Sequence, residues 1–272
     1  MIDEIEKIGF IGAGNMASAL ISGLINNGIP PAGIMASSPE EDHLKNLTDN
    51  YGIKTTNKNK EIINESEIII LAVKPNILES VLTEVNSLIS FNKHLIISIA
   101  AGCKITDIES KFSSKQRIIR AMPNTPASIK EGITAITLNK QATQKDKQNA
   151  EKLFSCVGEV LSINEKDMDA YTALIGSGPA YVFYFIESLL ESCNQIDLDE
   201  TTKKNMITSM ISGSANLARK SEDTPETLRK KVTSPGGVTQ RAIEEFETQE
   251  MKKIIVKAIK EATVKSKELG EN

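Results

Sequence analysis

The sequence predicts an α/β fold followed by an all-helical region. Three observations carry this. Short apolar runs alternate with amphipathic stretches from residue 8 to residue 163, the pattern of βαβ units in a parallel, doubly wound sheet. The first run passes directly into a glycine-rich turn and a helical pattern. After about Asn164 strand-like runs cease, and the rest reads as helices interrupted by two glycine–proline clusters. The expected partition is 1–163 and 164–272.

The opening run, Ile8-Gly9-Phe10-Ile11, leads into Gly12-Ala13-Gly14-Asn15-Met16-Ala17, and Ala19, Leu20, Gly23, Leu24 and Ile25 follow at helical spacing. Strand, G-x-G-x-x-A turn and helix form the context of a dinucleotide-binding Rossmann fingerprint. Gly12 permits a tight turn, and Gly14 lets the backbone approach a pyrophosphate. Ala17 lets the helix pack close to the strand. The anion then meets free amides at the helix start, around Asn15 and Met16.

Residues 28–33 read as a loop and Ile34-Met35-Ala36 as a second strand, ending in Ser37-Ser38-Pro39-Glu40. NAD-specific sites place Asp or Glu at that end, on the ribose 2′-hydroxyl. Two hydroxyls stand here instead, so a 2′-phosphate is not repelled by them. No arginine is present to clamp it, and Glu40, Glu41 and Asp42 follow at once. The balance is a mild preference for NADPH, with NADH also accommodated. The two serines can equally cap the next helix.

A helix over 40–51 and a strand over 53–55 come next. Residues 67–73 form a continuous apolar run, as buried parallel strands read, and end in Val73-Lys74-Pro75. A helix over 76–90 and a strand over 94–99 lead to Ala100-Ala101-Gly102. Ligands of such sheets bind outside the carboxyl ends of the strands. Gly12, Ser37, Lys74 and Ala100 therefore converge on one crevice, with Ser38, Ala72, Val73, Pro75 and Ala101 beside them. Residues 117–122 are a strand, and Pro123-Asn124-Thr125-Pro126-Ala127 a proline-fixed loop. That loop suits a ligand-facing role or a stiff crossover. Strands over 132–138 and 157–163 flank a helix at 143–154.

In the second region the clusters are Gly176-Ser177-Gly178-Pro179-Ala180 and Ser234-Pro235-Gly236-Gly237-Val238-Thr239. Between them Tyr181-Val182-Phe183-Tyr184-Phe185-Ile186 is apolar on every face of a helix, so it must be buried on all sides. A region of roughly 110 residues has a limited core of its own. A partner subunit is expected to cover this helix, giving a homodimer. Residues 251–269 read as an ordinary amphipathic helix.

The net charge of −4, without a cluster of Lys and Arg, argues against a general nucleic-acid binder. Cys103, Cys156 and Cys193 show neither metal spacing nor a disulfide framework, which indicates a reducing compartment. Residues 1–7 are acidic and unlike a signal peptide, and no apolar run reaches transmembrane length. The expected location is cytoplasmic, away from membranes. His43 and His94, the two histidines, sit in settings that read as surface or strand-end. A dehydrogenase with a histidine acid–base is thereby disfavoured.

Taken together, the motifs resemble the pyrroline-5-carboxylate reductases, the enzymes of the last step of proline synthesis. The resemblance rests on the opening turn, Leu71-Ala72-Val73-Lys74-Pro75, Ser98-Ile99-Ala100-Ala101-Gly102 and Arg120-Ala121-Met122-Pro123-Asn124-Thr125-Pro126. It continues through residues 173–181 and 233–239. It implies a helical domain interlocked with its mate in a dimer, often assembled further into decamers. The implied reaction is hydride transfer from NAD(P)H to the ring imine of L-1-pyrroline-5-carboxylate, giving L-proline. Two departures stand out: Ile175 where serine is common, and Val238 where threonine is common, which moves the expected hydroxyl to Thr239.

The chemistry of these residues agrees. A protonated imine carries its own positive charge, so hydride attack needs no strong general acid. The site must position the ring and offer its nitrogen a partner. The Thr239 hydroxyl can donate and accept, suiting imine and amine alike. Gly236, Gly237 and Val238 open a helix whose amides suit the substrate carboxylate, with the Ser234 hydroxyl alongside. Lys74 is assigned an assisting role near nicotinamide or substrate, and Asn124 and Thr125 the nicotinamide end. No metal is called for. The β-hydroxyacid dehydrogenases also open with this turn, but their lysine lies on a helix. A dinucleotide sensor would not need the substrate-side clusters.

Overall fold

The computed structural model describes residues 7–270, so the segment read as unlike a signal peptide lies, but for Lys7, outside the described residues. The chain divides by compactness into Met1–Ser177 with Ala262–Asn272, and Gly178–Glu261. The first unit runs β1 (Ile8–Ile11), α1 (Asn15–Asn26), β2 (Ile34–Ser37), α2 (Glu41–Tyr51), β3 (Lys54–Thr56), α3 (Asn59–Glu65), β4 (Ile68–Leu71) and α4 (Pro75–Val85). It continues β5 (Leu95–Ser98), α5 (Ile105–Ser110), β6 (Arg117–Met122), β7 (Gly132–Leu138), α6 (Gln144–Ser155), β8 (Gly158–Ser162) and α7 (Met168–Tyr171).

One eight-stranded sheet has the order β3-β2-β1-β4-β5-β6-β7-β8. Every residue of β1, β2, β4 and β5 is buried, because helices cover both faces. Phe10, Leu20, Leu24, Ile70, Ile97 and Phe154 pack on one face. Ile11, Ile69, Leu71, Leu78, Leu82 and Ile118 pack on the other. The order reverses between β2-β1 and β4, which puts a ligand crevice at the carboxyl ends of β1 and β4.

The expected all-parallel sheet needs correction. β6 and β7 pair antiparallel, so β7 and β8, parallel to each other, run against the rest. The connection from Met122 to Gly132 holds only a 3-10 turn, Thr125–Ile129. A parallel crossover needs a dozen residues or more, usually with a helix. α3 and α5 are additions to the sequence reading. Each is too short for a helical period to stand out, and each buries only two isoleucines.

Arg120, only 1% exposed, lies inside β6 among Ile118, Ile119, Ala121 and Met122. Its guanidinium pairs with Glu165 Oε1 at 2.9 Å and Asp169 Oδ1 at 3.4 Å. Ser266 Oγ donates to the same Asp169 oxygen at 3.0 Å, and the Ile105 amide donates to Glu165 Oε1. One buried network thus joins β6, α7, the start of α5 and the end of the chain's last helix.

No strand follows β8 among the described residues. The second unit holds α8 (Gly178–Glu191), α9 (Glu200–Lys220), α10 (Pro225–Lys231), α11 (Val238–Thr248) and most of α12 (Met251–Leu269). The first glycine–proline cluster interrupts the α-helix at Ser177, as expected, without ending the helical run. Residues Thr172–Gly176 form a π-helical turn that carries α7 towards α8. The helical run Glu165–Gln195 is therefore long and apolar enough to cross a membrane by length and composition, contrary to the sequence reading. In the single chain α8 has no fully buried residue; Phe183 is 57% and Tyr184 72% exposed.

Candidate functional site

The turn after β1 is built on Gly12. Its φ of +104° lies in the left-handed region, and a Cβ there would stand 2.3 Å from the Ala72 carbonyl oxygen. The Gly12 amide donates to Ser37 O and the Ala72 amide to Ile11 O, which ties the ends of β2, β1 and β4 together. Gly14 caps α1 with an extended backbone and no side-chain cap, and a Cβ on it would meet nothing within 4 Å. Intrahelical bonding begins with the Ser18 amide. The amides of Asn15, Met16 and Ala17 therefore have no intrahelical acceptor, and no acidic residue stands in the first turn. A cradle without a side chain, amides without intrahelical acceptors and no carboxylate in the helix's first turn together fit a dinucleotide pyrophosphate.

Around this turn lie the other expected residues of the first unit. Val73 Cγ1 would lie 3.2 Å from a Gly12 Cβ. Lys74 is the exposed N-cap of α4, with Pro75 at its first position. Ala100 is buried, its amide donating to Ser98 Oγ, and Ala101 is half-buried at the end of β5.

Three expectations change in detail. Ser37 is fully buried and its hydroxyl donates to Asn59 Oδ1 at 2.8 Å, so it does not present a group to a ribose. The Ser38 hydroxyl is engaged with Glu40, donating to its carboxylate at 2.5 Å and accepting its amide at 3.2 Å. That bond, above all, holds the Glu40 carboxyl below the usual carboxylate range. Asn124 is 6% exposed and pins the fold; its Oδ1 accepts from the Ile133 amide and its Nδ2 donates to Ile175 O. Thr125, next to it, stays exposed.

The histidines divide. His43 is exposed, with Nδ1 3.9 Å from Glu40. His94 is buried rather than at the surface. Its Nδ1 accepts from the Ser90 amide at 2.8 Å, which assigns the proton to Nε2, 3.1 Å from Ile63 O. Burial lowers its pKa, so it is a neutral clip between the loop at Ser90 and α3. Burial raises the Cys103 and Cys156 thiols, which disfavours thiolate chemistry. Among the described residues no three His, Cys, Asp or Glu side chains gather as metal ligands.

In the second unit Ser234 to Thr239 form a tight turn into α11. Gly236 has φ +71°, and its amide donates to Gln240 Oε1 at 2.7 Å; the Gly237 amide donates to Ser234 O. The expected glycine amides are thus occupied. The first intrahelical bond is Arg241 N–H to Gly237 O, so the amides of Val238, Thr239 and Gln240 are the donors without an intrahelical acceptor. Ser234 and Thr239 are exposed, and the Thr239 hydroxyl has no partner among the described residues. The helix-opening donors therefore lie two residues further along than the Gly236, Gly237 and Val238 amides that the sequence suggested. Gln240, Asn59 and the Arg120 network were missed because their bonds are visible only in the fold; the one signal for Arg120 was a charge between the apolar residues of β6.

An α/β domain with a pyrophosphate cradle at its switch point, joined to a helical region, defines a nicotinamide-dependent oxidoreductase. Residues 165–269 match the family described as pyrroline-5-carboxylate reductase dimerisation, and residues 7–102 the family described as NADP oxidoreductase, coenzyme F420-dependent. A pyrroline-5-carboxylate reductase of Methanosarcina acetivorans is 39% identical over 98% of this chain and 99% of its own. One from Arabidopsis thaliana is 34% identical over 99% and 97%. The crystal structure of the Plasmodium falciparum enzyme with NADP bound superposes with a TM-score of 0.90, at 34% identity over 98% of this chain and 99% of that one. The chain belongs to the pyrroline-5-carboxylate reductase family.

Proposed function

We propose that the chain reduces L-1-pyrroline-5-carboxylate to L-proline, the last step of proline biosynthesis, using NAD(P)H. The carrying observation is the family membership over nearly the whole chain, together with the helix-opening turn Ser234–Thr239. When bound, the reduced nicotinamide supplies the hydride that reaches the imine carbon. Asn15, Met16 and the cradle of Gly12 and Gly14 hold the pyrophosphate, and Ala72, Val73, Lys74, Pro75, Ala100, Ala101 and Thr125 line the remainder of the crevice. The Thr239 hydroxyl accepts the N–H of the protonated ring, and the amides of Val238, Thr239 and Gln240, with Ser234, hold the substrate carboxylate. No side chain needs to transfer a proton at the reacting carbon, which suits a site without a free histidine. Lys74 supplies positive charge near the reacting rings.

The working division is a dinucleotide domain, 1–163, and a helical substrate and dimerisation domain, 164–272. The exposed apolar α8 supports a homodimer through the second, and the family resemblance implies further assembly to a decamer. We place the enzyme in the cytoplasm, away from membranes, and the net charge of −4 speaks against a nucleic-acid partner. NADPH is the preferred cofactor, with NADH accepted. The test mixes purified protein, pyrroline-5-carboxylate and either cofactor and follows the absorbance of the reduced nicotinamide. Oxidation with neither would overturn the assignment.

A further inference from the structure

Dinucleotides are told apart at the end of β2, where the adenosine ribose lies. A 2′-hydroxyl is satisfied by an acceptor; a 2′-phosphate needs donors and positive charge. Ser37 offers neither, since its hydroxyl is buried against Asn59. Asn59 in turn donates from Nδ2 to Glu84 Oε2 at 2.8 Å. Ser38 is 3% exposed and its hydroxyl donates to Glu40 Oε2. No arginine occurs anywhere from residue 37 to residue 61. The Glu40 carboxylate is exposed, and its nearby cationic groups are His43 and, further off, Lys74.

We propose that Glu40 is the specificity residue for the cofactor: its carboxylate accepts the ribose 2′-hydroxyl of NADH and holds down the preference for NADPH. A 2′-phosphate must displace that carboxylate to reach the Ser38 hydroxyl, and it meets a negative charge on the way. With NADH the Ser38–Glu40 bond stays intact and Glu40 uses its remaining lone pairs. The pair thus accommodates both cofactors, which accounts for a crevice that has hydroxyls at the strand end and yet no arginine. The proposal rests on the reading of the Gly12–Gly14 crevice as the dinucleotide site.

The test measures equilibrium dissociation constants of NADPH and NADH, without substrate, by the fluorescence of the bound nicotinamide. Glu40→Gln keeps the shape and removes the charge. The ratio of the NADH constant to the NADPH constant should rise at least about tenfold, the effect of removing one charge beside a dianion in a water-exposed setting. Glu41→Gln, an equal change of net charge one residue along, should leave the ratio within about twofold, since screening by solvent and salt weakens a charge that makes no contact. An unchanged ratio in Glu40→Gln, or an equal rise in Glu41→Gln, would overturn the role of Glu40. Wild-type protein that binds neither dinucleotide would instead overturn the crevice itself, which keeps the two failures apart.

Discussion

Replacing Gly12 and Gly14 by alanine, one at a time, separates two duties of the first turn. At Gly12 the φ of +104° is foreign to alanine, and holding it there costs about 1–3 kcal/mol. The added Cβ would also lie 2.3 Å from Ala72 O and 2.7 Å from Ala72 C, atoms of a backbone fixed by the β1–β4 pairing. Relieving that overlap adds about 1–3 kcal/mol more. Gly12→Ala should therefore lose roughly 2–6 kcal/mol, a large share of the 5–15 kcal/mol typical of a folded protein. At Gly14 the φ is −74° and a Cβ meets nothing within 4 Å. Gly14→Ala should stay within about 1 kcal/mol of the wild type, the poorer N-cap offset by a less flexible unfolded chain. Its methyl group nevertheless projects into the space a pyrophosphate would fill, so dinucleotide affinity should fall at least about tenfold, or 1.4 kcal/mol. Urea midpoints by circular dichroism and dissociation constants by calorimetry read the two effects separately. A Gly12→Ala midpoint equal to the wild type would refute the crowding, and unchanged binding by Gly14→Ala would remove the pyrophosphate from this turn.

The exposed Thr239 should tolerate alanine without loss of stability, while turnover falls on the order of 100-fold; steady-state kinetics with full activity would refute its contact with the ring nitrogen. Phe183→Asp should convert a dimer to a monomer in light scattering, and a persistent dimer would place the interface elsewhere. Arg120→Met leaves Glu165 and Asp169 without their cation and should cost about 3–5 kcal/mol, the lower end because Glu165 is 34% exposed; an unchanged urea midpoint would contradict the network. His94 is neutral in the fold with its pKa lowered by burial, whereas unfolded histidine titrates near 6.5. The unfolded state therefore binds more protons below that value, and stability should fall with acid by at most about 1.4 kcal/mol per pH unit. His94→Gln should flatten that slope between pH 7 and 5, and an equal slope in both proteins would refute it.

Much of the fold is legible because burial on both faces leaves a trace in composition. Ile68–Leu71 and Leu95–Ser98 read as buried strands before any pairing is known, and they sit beside each other in the sheet. The opening turn is legible for a similar reason: only glycine tolerates the Gly12 backbone so close to Ala72. Strand direction is not carried by composition. β7 and β8 look like any parallel strand, and their reversal follows from the shortness of the loop after β6. Helical continuity was hidden in the same way. Gly176-Ser177-Gly178-Pro179 has the residues of a break, yet a π-helical turn ending at Gly176 and a single bend at Ser177 lead straight into α8.

The site was legible in its backbone donors more than in its side chains. Whether a hydroxyl or an amide is free depends on what folds against it, and that partner can stand far off in the chain. Ser37 finds Asn59, Asn124 finds the Ile133 amide and Ile175, and none of these pairs shows a spacing rule. A shorter pairing, Gly236 with Gln240, occupies a donor that the sequence left open. Helix starts behave differently, since the first amides of any helix lack intrahelical acceptors by geometry alone. Asn15 and Met16 at one helix, and Val238 and Thr239 at another, keep that property whatever packs around them. At both places where the sequence expected an anion the chain opens a helix, although at the second the donors without an intrahelical acceptor begin only at Val238. The side-chain contacts that would choose between cofactors needed the fold to be seen.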